Sequence, residues 1–325
     1  MKNSNKPAVA QSKTAAPTVR PKIQKILAAT DFSDGSLPAV RYALALGGKI
    51  GASVTLLHVI ELAPSLSGME SVVLASTDAE AGVPVHTQLE ALVQREAKSD
   101  GKVASVVRTG KPFHEIALAA SERAVDLVVI ATHGYTGAKR VLLGSTAERV
   151  VRHAPCPVLT IPSRAGANRT GKTFPFKLKK ILVPNDFSDI SKDALPWATF
   201  LAAQFGAELV LLHIVEEFPI DYLLGRELAN RTVEPLMKQA EAGLAQMAVS
   251  LSKSTGMNVS AIVRSGRPFE AISRAAKALG ADLIVLTTHG YTGLKHVWLG
   301  STAERVVRHA HCPVLVVREL NRKTL

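Results

Sequence analysis

Short apolar runs alternate along the chain with longer stretches whose apolar residues recur at helical spacing. KILAAT, residues 25–30, is one such run, closed by Asp31. A strand apolar on both faces belongs in a buried parallel sheet. GSLPAVRYALALGGKI follows with apolar positions every three or four residues and Gly51 as a stop, which predicts a helix. SVTLLHVI, rich in β-branched residues, predicts a second strand. After a long variable loop, a helix is expected near His86 to Ala97 and a strand at KVASVVR. KPFHEIALAASER, with Pro112 in its first turn, predicts a helix and DLVVIAT a strand. STAERVVRHA and PVLTI supply the last helix and the last strand. The order β-α-β-α-β-α-β-α-β predicts an α/β fold with a parallel sheet wrapped by helices.

The whole pattern then occurs again. KILAATDFSDGSLPAVRYALALGGKIGASVTLLHVIE aligns without a gap on KILVPNDFSDISKDALPWATFLAAQFGAELVLLHIVE at an offset of 155. THGYTGAKRVLLGSTAERVVRHAPCPVLTIP aligns on THGYTGLKHVWLGSTAERVVRHAHCPVLVVR at an offset of 156. A repeat of this length is too long for a solenoid and describes two whole domains of like fold. The boundaries are set at 1–22 for a disordered basic tail, 23–162 for the first domain, 163–178 for a basic linker and 179–318 for the second domain.

Composition changes this picture little. A chain of 325 residues with 47% hydrophobic and 20% charged residues is a globular protein with two cores. No apolar run reaches membrane-spanning length, and the N-terminus lacks the apolar segment of a signal peptide. The net charge of +12 suggests nucleic acid until it is located. Residues 1–25 and 163–180 each carry six bases and no acid, and 318–325 add +2, so the two folded bodies together come to −2. The basicity is a property of tails and linker, and nucleic-acid binding by the folded bodies is not expected. The two cysteines, Cys156 and Cys312, lie in matching contexts. They read as small buried residues entering a strand in a reducing cytoplasm.

Phosphate chemistry is suggested in two places. GANRTGKT, residues 166–173, fits the P-loop pattern, but FPFKLKKILV leads from it into a strand where a P-loop requires a helix. The match is a chance property of the linker. The repeated THGYTG…GST stretch has the right context, since it follows a strand and precedes a helix. Gly144, Ser145 and Thr146, and in the second half Gly300, Ser301 and Thr302, open helices whose first N–H groups are free to meet an anion. The same residues also fit a capping box, Ser145 with Glu148 and Ser301 with Glu304, so spacing alone leaves the two readings level. His58 and His213 at a strand end, and His133 and His289 in the glycine-rich loop, read as structural hydrogen-bonding residues, because no nucleophile or paired carboxylate accompanies them. His153 and His309 sit where a helix presents its negative pole. Asp31 and Asp186 fit either a Mg²⁺ shell or caps of the turn DFSD, the second being preferred in the absence of ligand. No zinc spacing occurs, and no residue is assigned to catalysis or to a metal.

THGYTG, together with DFSD, LLHV and RHAPCPVL, resembles the universal stress protein family in its tandem two-domain form, over nearly everything from residue 23 to 318. The resemblance implies two five-stranded parallel sheets of order 3-2-1-4-5, of the adenine-nucleotide-binding, alpha-hydrolase-like kind. It also implies a topological switch point between the first and fourth strands, where a ligand crevice is expected. ATP-binding members carry G-x2-G-x9-G-[ST]. Gly134, Gly144 and Ser145 match its last three elements, as do Gly290, Gly300 and Ser301, whereas Ala131 and Thr287 stand where the first glycine belongs. The adenine end maps to Asp31 and Val59, and to Asp186 and Ile214. The proline usual two residues before the aspartate is Pro184 in the second half and Ala29 in the first. The implied function is a cytoplasmic stress-response regulator that binds ATP with Mg²⁺ in one or both halves, with slow hydrolysis at most. The alternatives are a nucleotide-independent scaffold and a slow ATPase. The family's pairing through the last strand implies an internal pseudo-dimer of PVLTI with PVLVV; a further homodimer is left open.

Overall fold

The computed structural model describes residues 21–61, 84–97, 102–132, 143–162, 176–216, 226–288 and 299–318, with backbone alone at 226–232. In the first half β1 (Lys25–Ala29), β2 (Ser53–Ile60), β3 (Val103–Thr109), β4 (Leu127–Ala131) and β5 (Val158–Ile161) alternate with α1 (Leu37–Ile50), α2 (Val85–Glu96), α3 (Pro112–Glu122) and α4 (Ser145–His153). The second half repeats the plan. Its strands are β6 (Lys180–Pro184), β7 (Glu208–Val215), β8 (Val259–Ser265), β9 (Leu283–Thr287) and β10 (Val314–Val317). Its helices are α5 (Ala194–Phe205), α6 (Arg226–Thr255), α7 (Pro268–Leu279) and α8 (Ser301–His309). The punctuation is where the residue types place it. Gly51 closes α1 in the left-handed region at φ 71°, which costs glycine nothing. Prolines occupy the first turns of α1, α3 and α7, where their missing N–H is not needed. One inequality between the halves is plain: α6 runs 30 residues where α2 runs 12.

Each half is a parallel sheet of order 3-2-1-4-5, and the two halves join into one ten-stranded sheet, β3-β2-β1-β4-β5-β10-β9-β6-β7-β8. The join is antiparallel, with Thr160 opposite Val314, Leu159 opposite Leu315 and Val158 opposite Val316. The Thr160 hydroxyl also donates to the Val314 carbonyl at 3.2 Å. Asp126 and Asp282 brace the amino ends of the strands. The first accepts the backbone N–H groups of Gln24 and Lys25, the second those of Lys179 and Lys180.

The helices cover both faces, and each face carries a hydrophobic core that crosses from one half into the other. On one face α1, α2, α5 and α6 pack over Ile26, Leu56, Leu159, Ile181, Leu209 and Leu315. On the other, α3, α4, α7 and α8 pack over Leu27, Leu57, Val128, Leu182 and Val316. Phe176 enters the first of these cores edge-on against Tyr42 at 5.0 Å and 5.1 Å from Phe205. Cys312 is buried and Cys156 half-buried, and burial pushes both thiols up to about 12, in keeping with a packing role. The tail through residue 20, most of the linker, the P-loop-like GANRTGKT and the loop holding His133, Gly134, His289 and Gly290 lie outside the described residues. Among the described residues no helix is long and apolar enough to cross a membrane.

Candidate functional site

The turn that leaves β6 is built from its own side chains. Asp186 accepts the Ser188 N–H at 3.0 Å and its hydroxyl at 2.6 Å through one oxygen. Asn185 accepts the Phe187 N–H at 2.8 Å. These bonds hold Phe187 at φ 64°, a conformation that costs a non-glycine residue about 1 kcal/mol or more. The His213 ring lies tilted against Phe187 at 4.5 Å and donates from Nδ1 to the Asn185 carbonyl at 2.8 Å. The first half repeats each feature. Asp31 accepts from Ser33, Phe32 stands at φ 63°, and His58 donates to the Thr30 carbonyl at 2.9 Å while stacking on Phe32 at 4.4 Å. Both aspartates therefore cap their turn and both histidines tie down the loop, as the residue types suggested. Burial lowers the pKa of His58 against the opposing pull of the Thr30 hydrogen bond and Asp31, which favours the neutral ring.

Across the crevice stand α4 and α8. Of the two readings left level by spacing, the capping box is not formed. The N-cap residues are Gly144 and Gly300, the serines are the first helical residues, and no side chain caps either helix. Glu148 and Glu304 reach forward instead, to Arg152 at 2.5 Å and Arg308 at 2.7 Å, because a charged partner one turn away outcompetes a neutral N–H. The first intrahelical bonds are Glu148 N–H to Gly144 O and Glu304 N–H to Gly300 O, both 3.0 Å. Helix geometry therefore leaves the N–H groups of Ser145, Thr146 and Ala147, and of Ser301, Thr302 and Ala303, without an intrahelical acceptor. Gly144 and Gly300 are themselves fastened to the strand ends, donating to the Thr132 and Thr288 carbonyls at 2.7 and 2.8 Å. Arg149 and Arg305 each lie 5.0 Å over Phe113 and Phe269, with His153 and His309 tilted against the same rings. These stacks hold α4 on α3 and α8 on α7.

In the second half these parts enclose a cavity of about 250 Å³. It lies between β6 and β9, at the carboxyl ends of the strands where the order reverses. Asp186, Ile214, Thr287, Gly300, Ser301 and Thr302 all line it, so six of the seven second-half positions singled out in the sequence converge; Gly290, the seventh, is outside the described residues. Thr287 is 8% exposed and forms wall without closing the space. Sequence reasoning missed Asn185, Ser191, Glu216, Pro268 and Ile272. KPF at 111–113 and its counterpart RPF at 267–269, which open α3 and α7, were a signal for Pro268; the others carry no local motif. In the first half Asp31 follows β1, Val59 lies in β2, Ala131 ends β4 and Gly144, Ser145 and Thr146 open α4, the same frame in outline. Among the described residues no cluster of three or more metal-ligating side chains occurs.

This geometry has relatives. The model of the universal stress protein family matches residues 22–162 and again 177–318. A universal stress protein of Methanocaldococcus jannaschii is 36% identical over 141 residues, 43% of this chain and 82% of that protein. One of Mycobacterium bovis is 29% identical over 232 residues, 70% of this chain and 69% of the other. Among solved structures, a universal stress protein from Archaeoglobus fulgidus covers 91% of this chain and 97% of its own at 23% identity, with a TM-score of 0.64, a likeness of fold.

Proposed function

Because the chain belongs to the universal stress protein family, we propose that it is a stress-response regulator that binds an adenine nucleotide in the crevice of its second half. The first half offers the same frame. The observation that carries this reading is the cavity that joins Asp186 and Ile214 on one side to the uncapped start of α8 on the other. Unpaired N–H groups at a helix start, with a glycine for close approach, suit phosphate oxygens. The apolar walls from Ile214, Leu212 and Ile272 suit a base. Mg²⁺ would come with the triphosphate, held mainly by phosphate and water.

The described lining contains two ionisable side chains, Asp186 and Glu216, and neither arginine nor lysine. Phosphoryl transfer depends on cations that neutralise the developing charge, so the lining supports binding over turnover, with hydrolysis slow at most. A cytoplasmic setting and a further homodimer belong to the same proposal.

Calorimetric titration of ATP into the wild type, Gly144→Val and Gly300→Val tests it. Valine at either glycine projects a branched side chain at the helix start where phosphate must approach. The expected result is at least one site, lost on the substitution in its own half. Absence of binding heat, with no ATP-dependent rise in melting temperature, would overturn the reading and leave a nucleotide-independent scaffold.

A further inference from the structure

Asn185 is the crevice residue whose chemistry the fold leaves incomplete. It is 4% exposed and lines the cavity beside Asp186. Its backbone N–H donates to the Leu212 carbonyl, its carbonyl accepts from His213, and its side-chain oxygen accepts from Phe187. That last bond settles the orientation of the amide, because a backbone N–H needs an oxygen opposite it. The side-chain nitrogen Nδ2 therefore points elsewhere, and it is buried with no hydrogen-bond partner among the described residues. A buried donor left unmet is costly and calls for a specific reason.

The duplicated half shows that the fold does not require this. At the matching position Thr30 is fully engaged: its hydroxyl shares a hydrogen bond with Ser36 at 3.0 Å and accepts the Phe32 N–H at 3.1 Å. The second half keeps the serine, as Ser191, whose hydroxyl donates to the Ser188 carbonyl at 2.9 Å just as that of Ser36 donates to the Ser33 carbonyl at 3.0 Å. Replacing threonine by asparagine thus preserves the turn through Oδ1 and adds a donor that nothing among the described residues uses.

We infer that Asn185 is a specificity-determining residue of the second-half crevice, whose amide donates to an acceptor on the nucleoside part of the bound ligand. This rests on the nucleotide reading above. The direction follows from the layout: phosphates belong at the start of α8, so the nucleoside lies toward the end of β6, where Asn185 is. Acceptors there are ring nitrogens of the base or ribose oxygens. The two halves are then unequal by construction, since Thr30 has no donor to offer.

The test uses the full chain in a Gly144→Val background, so that ATP binding reports the second half alone. Asn185→Thr transplants the satisfied residue of the first half, and Asn185→Ser serves as a second variant. The expected result is a tenfold or greater loss of ATP affinity with a melting temperature, without ligand, equal to or above that of the parent. A purely structural role would lower that melting temperature, and a water that already satisfies the amide would do the same; either result overturns the inference. Affinity within twofold of the parent also overturns it. If the parent itself binds no ATP, the nucleotide reading of this half has failed, and that outcome is distinct because it appears before Asn185 is changed.

Discussion

Leu315→Ala tests whether the two halves form one cooperative body. Leu315 is 1% exposed in the strand that joins them, opposite Leu159, and both belong to a core that runs through both halves. Around it Tyr42, Leu46, Leu127 and Leu159 from the first half meet Leu178, Leu201 and Leu283 from the second, with a void of only about 10 Å³ between them. So dense a site, held between sheet and helices, has little room to collapse into the space vacated. The loss belongs in the middle to upper part of the range for buried Leu→Ala, about 3–4 kcal/mol. With an unfolding entropy of about 2.1 cal/mol/K per residue, a unit of about 290 residues would lose about 5–7 °C in one transition. If the halves unfolded separately, a second half of about 140 residues would fall by about 10–14 °C while the first kept its melting temperature. Differential scanning calorimetry separates the two cases, since a single unit has equal calorimetric and van't Hoff enthalpies. Two transitions, one of them unmoved by the substitution, would refute the shared core.

Two neighbouring glycines in α1 predict opposite outcomes. A Cβ on Gly47 would lie 2.5 Å from Val54 Cγ2 and 3.2 Å from the Ala52 carbonyl, whereas one on Gly48 meets nothing within 4 Å. Gly48→Ala should stabilise by up to about 1 kcal/mol through helix propensity, and Gly47→Ala should instead destabilise by about 1–2 kcal/mol, since stiff, buried Val54 cannot yield; urea midpoints in the order Gly47→Ala above Gly48→Ala would contradict this. Burial lowers the pKa of His58, and burial followed by repulsion from Lys277 lowers that of His311, both from 6.5. The folded protein therefore binds fewer protons than the unfolded chain, and this contribution is fully present above pH 6.5 and is lost as pH falls through the depressed folded values. Melting temperature should drop between pH 7.5 and 5, and less so in the double variant His58→Gln, His311→Gln; an equal drop in both would place the effect elsewhere.

How much of this was legible in the chain varies with how local the cause is. The elements of the first half follow from apolar periodicity, and Gly51 and Pro112 mark ends where the structure puts them, because turn and cap chemistry is decided within a few residues. The turns after β1 and β6 were equally readable, since DFSD carries its own hydrogen bonds. Ser145 with Glu148 was left undecided because a spacing cannot reveal competition: Arg152, four residues beyond, takes the glutamate. The antiparallel join was implied only by family resemblance, as both strands are short, apolar and without a register signal. Asn185 was invisible as a site residue. Its significance depends on what fails to contact it, and a sequence does not record an unmet partner.

The antiparallel seam also determines where each half can meet the outside. All strands of the first half run one way and all strands of the second run the other. The carboxyl ends that frame the two crevices therefore open at opposite rims of the sheet. A flat surface resting on one rim leaves the other uncovered. Duplication has in this way produced a body with two opposed faces of entry, whose relative orientation is set by the strands between them.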